Sequence, residues 1–164
     1  MKQQKMFLPS EQFQSIIKST PLISIDLIVR NKADEILLGL RTNRPAQGNW
    51  FVPGGRVLKD EPLDIAFERL IKTELNLQVQ NATFKGIYQH FYNDNVFNES
   101  FSTHYIVMAY EIYIDGDLSS LPVIQHDDYQ WFSEKSLLDN ENVHEHTKWY
   151  FQIDKQADSF VQIL

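Results

Sequence analysis

Hydrophobic positions follow two rhythms along this chain, and the changes between them mark its elements. Residues 22–30 alternate as a strand, with Ile23, Ile25, Leu27 and Val29 on one face and Leu22, Ser24, Asp26 and Ile28 on the other. Asp26 sits mid-strand, where acids are disfavoured, so read alone it marks a face open to water. Residues 31–34 read as a turn and 35–41 as the partner strand. Trp50-Phe51-Val52 is a short apolar strand, stopped by Pro53 and the pair Gly54-Gly55. The period then becomes helical, with Leu63, Ala66, Phe67, Leu70 and Ile71 on one stripe. Asp60, Glu61 and Pro62 supply start signals through dipole and fixed φ, and Asn76 suits a left-handed terminator. Residues 84–92 and 101–114 are two long aromatic strands, joined by a polar loop over 93–100 that is expected to be mobile. A short strand over 129–132, a small helix from Ser133 or Glu134 and a longer helix over 143–153 close the chain. At the front, Pro9-Ser10-Glu11-Gln12 opens a helix with Phe13, Ile16 and Ile17 on one side, ended by Thr20-Pro21. That helix covers an edge of the sheet or makes a dimer contact; the pattern does not separate the two.

Helix, strands, glycine turn with its helix, strands and closing helices spell an α/β (α+β) domain with a mixed sheet between helices. The 164 residues suit one domain over 1–164, with no repeats or linkers. Composition changes this little: 43% hydrophobic and 23% charged residues are ordinary for a soluble protein. Charge says more. A net −7 argues against nucleic acid as a partner and means that a polyanion site must concentrate a few basic groups. No cysteine is present, which removes disulfides and thiolate metal sites. With no signal-peptide pattern and no membrane-length apolar run, a cytoplasmic location and no membrane partner are expected.

Glu74 is the informative residue of the central helix. Four residues after Leu70 and three after Ile71, it continues the apolar stripe. An unpaired carboxylate there would cost several kcal/mol, so it must be paired, neutral or bound to a cation. A helix-end glutamate reaching water past the stripe is the plain alternative. The glycine turn in front of the helix favours a pocket for an anion and its metal.

The stretch VPGGRVLKDEPLDIAFERLIKTELNL (residues 52–77) resembles the signature of the Nudix hydrolases, G-x5-E-x7-R-E-U-x-E-E-x-G-U with U aliphatic. Gly55, Glu61, Arg69, Ile71, Glu74 and Leu77 fall on its fixed positions. Leu70 and Thr73 replace glutamates, and Asn76 replaces the glycine. This reduced box, together with RTNRPAQGNWFVPGGRV (residues 41–57), is similar to one subfamily, the GDP-mannose mannosyl hydrolases. The likeness runs from about residue 7 to about residue 150.

Several side chains are candidates for chemistry. Guanidinium groups grip phosphate oxygens in pairs, which favours Arg41 and Arg56 as diphosphate clamps and leaves Arg44 undecided. His126 titrates in the range of a general base, although Gln125-His126-Asp127-Asp128 also reads as a solvated acidic loop. His104 reads as a half-buried strand histidine. The resemblance implies more: Asp26 and His90 touch the sugar, Tyr105 donates its hydroxyl to the leaving phosphate, and His126 is the base. It further implies a magnesium site (manganese as the alternative) built from a Gly54 backbone oxygen, Glu74, Gln125, substrate phosphates and waters. It implies a homodimer, the Nudix fold and a nucleotide-sugar substrate. With the glutamates at positions 70 and 73 missing, the resemblance implies that water attacks the anomeric carbon of GDP-mannose (GDP-glucose is the alternative donor) with inversion, releasing GDP and the free sugar. An ordinary pyrophosphatase attacking phosphorus and a silent nucleotide-sugar sensor are the competing readings. Retention of Glu74 and His126 counts against the sensor.

Overall fold

The computed structural model describes residues 8–79, 81–115, 121 and 126–160, with the side chains of 126, 127 and 160 outside the description. Among the described residues seven strands form one mixed sheet. β1 (Leu22–Arg30) is central, flanked by β2 (Ile36–Arg41) and by β6 (Thr103–Tyr113), with β3 (Trp50–Phe51) and β5 (Thr83–Tyr92) outside them. β4 (Gly54–Arg56) pairs with β1, and β7 (His126–Phe132) pairs with β2. β1 and β6 run parallel in unbroken register from Leu22 opposite Tyr105 to Arg30 opposite Tyr113; the other pairings are antiparallel.

The alternation read in β1 sorts its side chains between two cores. Ile25, Leu27 and Val29 face α2 (Leu63–Leu70), packing with Ala66, Leu70, Ile71 and Leu75. Ile28 faces the other way, with Tyr88, Val107, Leu137, Val143 and Phe151. The sheet is therefore sandwiched between α2 on one side and the C-terminal segment on the other. Because both faces are covered, Asp26 is only 7% exposed, which overturns its reading as a position open to water. α1 (Ser10–Ser19) packs on β6. Among the described residues no helix is long and apolar enough to cross a membrane.

α2 passes directly into a π-helical turn, Ile71–Leu75, which ends at Asn76 in the left-handed conformation (φ 54°, ψ 34°). The terminator is as read. The stripe itself starts later than read, since Leu63 is 49% exposed.

Several boundaries differ from the sequence pattern. The second aromatic strand starts at Thr103, because Thr103 Oγ1 donates to Asp94 O and closes the loop before it. The polar 93–100 loop is cross-braced: Asn95 Oδ1 accepts from the N–H groups of Phe97 and Asn98, and its amide donates to Phe101 O. β7 begins at His126, placing that residue on a strand opposite Arg41 and not in a loop. In place of the long terminal helix there is only α4 (Glu145–Lys148), after the six-residue α3 (Glu134–Asp139). The reason is competition from β3. Trp50 N–H donates to Asn142 O and Trp50 O accepts from His144 N–H, so residues 142–144 are held as a strand edge and cannot open a helix.

Candidate active site

The glycine turn determines how closely the pieces of this site approach. Gly54 lies opposite Asp26 in the β1–β4 pairing, and a Cβ on it would stand 2.4 Å from Ile25 O and 2.8 Å from Asp26 Oδ1. A Cβ on Gly55 would stand 2.6 Å from Leu70 Cδ2. Glycine at both positions thus lets β4 lie directly on β1 and α2. The result is a cleft of about 180 Å³ walled by Asp26, Gly54, Arg41, Arg56, His90 and Tyr105, with Tyr92 and Phe51 beside them. Six sequence-predicted residues, carried by five strands, meet there.

Asp26 forms its floor. Tyr150 donates its hydroxyl to Asp26 Oδ2 at 2.5 Å. Burial pushes the carboxyl up to about 7; the Tyr150 hydrogen bond and the Arg41 charge restrain a larger rise. Next to it stands a group of imidazoles. His90 is 2% exposed and stacks on His146, itself 1% exposed, at 4.3 Å and 12°. His144 lies 4.6 Å from His146 and caps α4, its Nδ1 accepting from the His146 N–H. Burial holds His90 down at about 2, His146 at about 3 and His144 at about 4, with mutual repulsion adding to the first two and the Arg41 charge to the third. All three are therefore neutral near pH 7 and offer hydrogen bonds without charge.

The cleft also holds two cations. Arg41 ends β2 and closes the following loop, its N–H donating to Asn49 O and its carbonyl accepting from Gly48 N–H. Its Nε is buried without a hydrogen-bond partner, as a donor held for an anion would be. Arg56 lies with its guanidinium over the Phe13 ring at 4.1 Å, so α1 reaches the site instead of merely covering the sheet. Behind Arg56, Arg69 forks onto Glu61 (Nε to Oε1 2.6 Å, Nη2 to Oε2 2.9 Å) and also donates to Arg56 O. The hydrogen bonds from Arg69 hold Glu61 below the usual carboxylate range. These two fixed positions of the box brace the end of β4, where Arg56 lies. Arg44, left undecided by the sequence, is engaged elsewhere: it pairs with Asp94 at 3.2 Å and Glu99 at 2.7 Å, tying its loop to residues 93–100.

Tyr105 pairs with His90 across β5 and β6, and burial raises its phenol, so it stays a proton donor at neutral pH. His104 stacks on Phe91 at 4.3 Å outside the cleft, half-buried as read. The proposed metal ligands are less gathered. Gly54 is in the wall of the cleft, Glu74 is 4% exposed and close enough to raise the Tyr129 phenol, and Gln125 lies outside the described residues. The set consists of hard oxygen donors and so fits magnesium. Among the described residues no three His, Cys, Asp or Glu are grouped so as to hold a metal ion by themselves, so an ion there would rely on substrate phosphates. For His126 the backbone alone is described, beside Arg41 at the edge of the cleft.

Sequence reasoning missed Tyr92, His144, His146 and Tyr150. A signal was present: of five histidines in the chain, two fall within three residues, next to Trp149-Tyr150. A segment that rich in polar aromatic groups is poorly suited to be only a covering helix.

Residues 20–153 match the NUDIX domain. The low-salt glycan biosynthesis protein Agl8 of Haloferax volcanii is 38% identical over 110 residues, spanning 67% of this chain and 70% of that protein. Among solved structures, a MutT protein from Methanosarcina mazei shares the fold at a TM-score of 0.66 and 23% identity, over 81% of this chain and 92% of that one. A MutT NUDIX hydrolase from Burkholderia pseudomallei gives 0.65 and 22%, over 81% and 97%. At those identities the structural likeness is one of fold, and it agrees with a sequence match that covers most of the chain. The chain belongs to the Nudix hydrolase family.

Proposed function

We propose that this Nudix hydrolase cleaves a guanosine diphosphate sugar, GDP-mannose with GDP-glucose as the alternative donor, to GDP and the free sugar. Family members act on small molecules and generally use a divalent metal such as magnesium. The observation that carries the finer reading is the composition of the cleft. Asp26, Arg41, Arg56, His90 and Tyr105 line it, while the positions where the box has glutamates hold Leu70, buried against Gly55, and Thr73, exposed on the helix. Two arginines suit a diphosphate, and a carboxyl with a neutral imidazole suits sugar hydroxyls. The glycan biosynthesis named in Agl8 is in keeping with a sugar nucleotide.

In this reading Arg41 and Arg56 bind the diphosphate and stabilise the charge that grows on the bridging oxygen as its bond to the anomeric carbon breaks. Tyr105 donates its phenolic proton as a hydrogen bond to the same leaving group. Asp26 and His90 hold the sugar. His126 takes the proton of the attacking water as the new carbon–oxygen bond forms, a role typically contributing about 10²–10⁴-fold. When bound through the Gly54 carbonyl, Glu74 and Gln125, a magnesium ion supplies further neutralisation of the diphosphate. One displacement without a covalent intermediate inverts the anomeric centre. The active form in this reading is a homodimer. Incubation with GDP-mannose, with and without magnesium, followed by product identification tests the proposal. GDP and mannose are expected; GMP and mannose phosphate would return the protein to the pyrophosphatases.

A further inference from the structure

Tyr150 comes from the turn after α4, a segment that carries no part of the box. Its ring stands edge-on against Tyr88, with centroids 4.8 Å apart at 90°. The next residue, Phe151, is part of the core. The phenol is thus delivered from a firm base to the floor of the cleft, where its oxygen meets two groups at once: Asp26 Oδ2 at 2.5 Å and His90 Nε2 at 3.3 Å.

A hydroxyl has one proton to give, and above about pH 7, where Asp26 is ionised, the carboxylate takes it. The contact with His90 must then run the other way, with Nε2–H donating to the phenolic oxygen. In a neutral imidazole this leaves Nδ1 as the acceptor. The two carboxylate oxygens are divided in the same manner. Oδ2 is occupied by Tyr150. Oδ1 points to the space above Gly54, where a Cβ would come within 2.8 Å of it and where glycine leaves room.

We propose that Tyr150 is the positioning residue of the sugar subsite: it occupies Asp26 Oδ2, sets the His90 tautomer, and leaves Asp26 Oδ1 over Gly54 as the acceptor for one hydroxyl of the substrate sugar. The proposal rests on the nucleotide-sugar reading above. Tyr150 touches no substrate itself and acts through Asp26 and His90.

Tyr150→Phe tests it, because the ring and its contact with Tyr88 remain and only the hydroxyl is lost. The expected result is a fall in kcat/KM for GDP-mannose on the order of 10–100-fold, the range for a lost hydrogen bond to a charged group. The Kd for GDP, which has no sugar, should stay within about twofold. Combining Tyr150→Phe with Asp26→Asn should cost less than the product of the two single losses, since both act on one acceptor. Equal losses for GDP and GDP-mannose, or unchanged turnover, would overturn the proposal. Nitrogen NMR of the ligand-free protein separates this from a failure of the functional reading. If the wild type hydrolyses no nucleotide sugar, that reading falls. The His90 ring signals then decide for Tyr150: loss of the Nε2–H form in Tyr150→Phe supports the positioning role, and unchanged signals refute it.

Discussion

Asp26→Asn should make the protein more stable and less active, with a pH dependence whose sign follows from the site. The carboxyl is held at about 7 against an ordinary 3.8. Between those values the folded protein keeps a proton that the unfolded chain has released, so this group's effect on stability worsens as pH rises through the window. At about 1.4 kcal/mol per pH unit, the penalty is ~2 kcal/mol at pH 5 and ~4 kcal/mol at pH 7. The imidazoles act in the opposite sense. His90 and His146 are held near 2 and 3, so below ~6.5 the unfolded chain takes up protons that the folded one refuses. Their contribution is fully present above that pH and falls by ~2 kcal/mol each at pH 5; His144, more open, removes ~1 kcal/mol further. The wild type should therefore lose a net ~3 kcal/mol from pH 7 to pH 5, a loss of ~5 less the ~2 that Asp26 returns. The Asn variant should be ~4 kcal/mol more stable at pH 7 but lose the whole ~5 on acidification. Urea unfolding followed by tryptophan fluorescence from pH 5 to 8, in chelator and without nucleotide, measures both curves. A variant no more stable at pH 7, or an advantage that does not shrink toward pH 5, would show that burial does not hold this carboxyl up.

Other substitutions probe Arg56 and the base. Phe13→Ala removes the ring under Arg56; at ~1 kcal/mol for a cation–π contact, turnover should fall about fivefold, and Phe13→Tyr should restore it. Equal defects in both variants would show that the ring does not act on Arg56. His126→Gln should lower kcat by about 10²–10⁴-fold with nucleotide affinity retained, and full activity would place the base elsewhere.

What was legible in the sequence was local. The two faces of β1, the glycine turn, the helix with Glu74 on its inner stripe and the Asn76 terminator all follow from spacing within a dozen residues. The pairing of Arg41 with Arg56 followed from charge scarcity in an acidic chain. What was not legible depends on partners far along the chain. Asp26 looked exposed because nothing near it announces that Tyr150, 124 residues later, covers that face. The 143–153 stretch has helical periodicity, yet backbone bonds to Trp50 claim its first turn, and Val143 and Phe151 must both reach the core. Arg44 could not be assigned because its partners, Asp94 and Glu99, sit on the other loop. His126 looked like a loop residue because its strand is defined by pairing with β2 and not by its own side chains.

The central claim is that water attacks carbon and not phosphorus. Hydrolysis of GDP-mannose in water enriched with heavy oxygen, with mass spectrometry of both products and NMR of the nascent sugar, tests it most directly. The account predicts label in the released mannose, unlabelled GDP, and the β-anomer appearing first from the α-linked donor. Label in a phosphate-bearing product would contradict it.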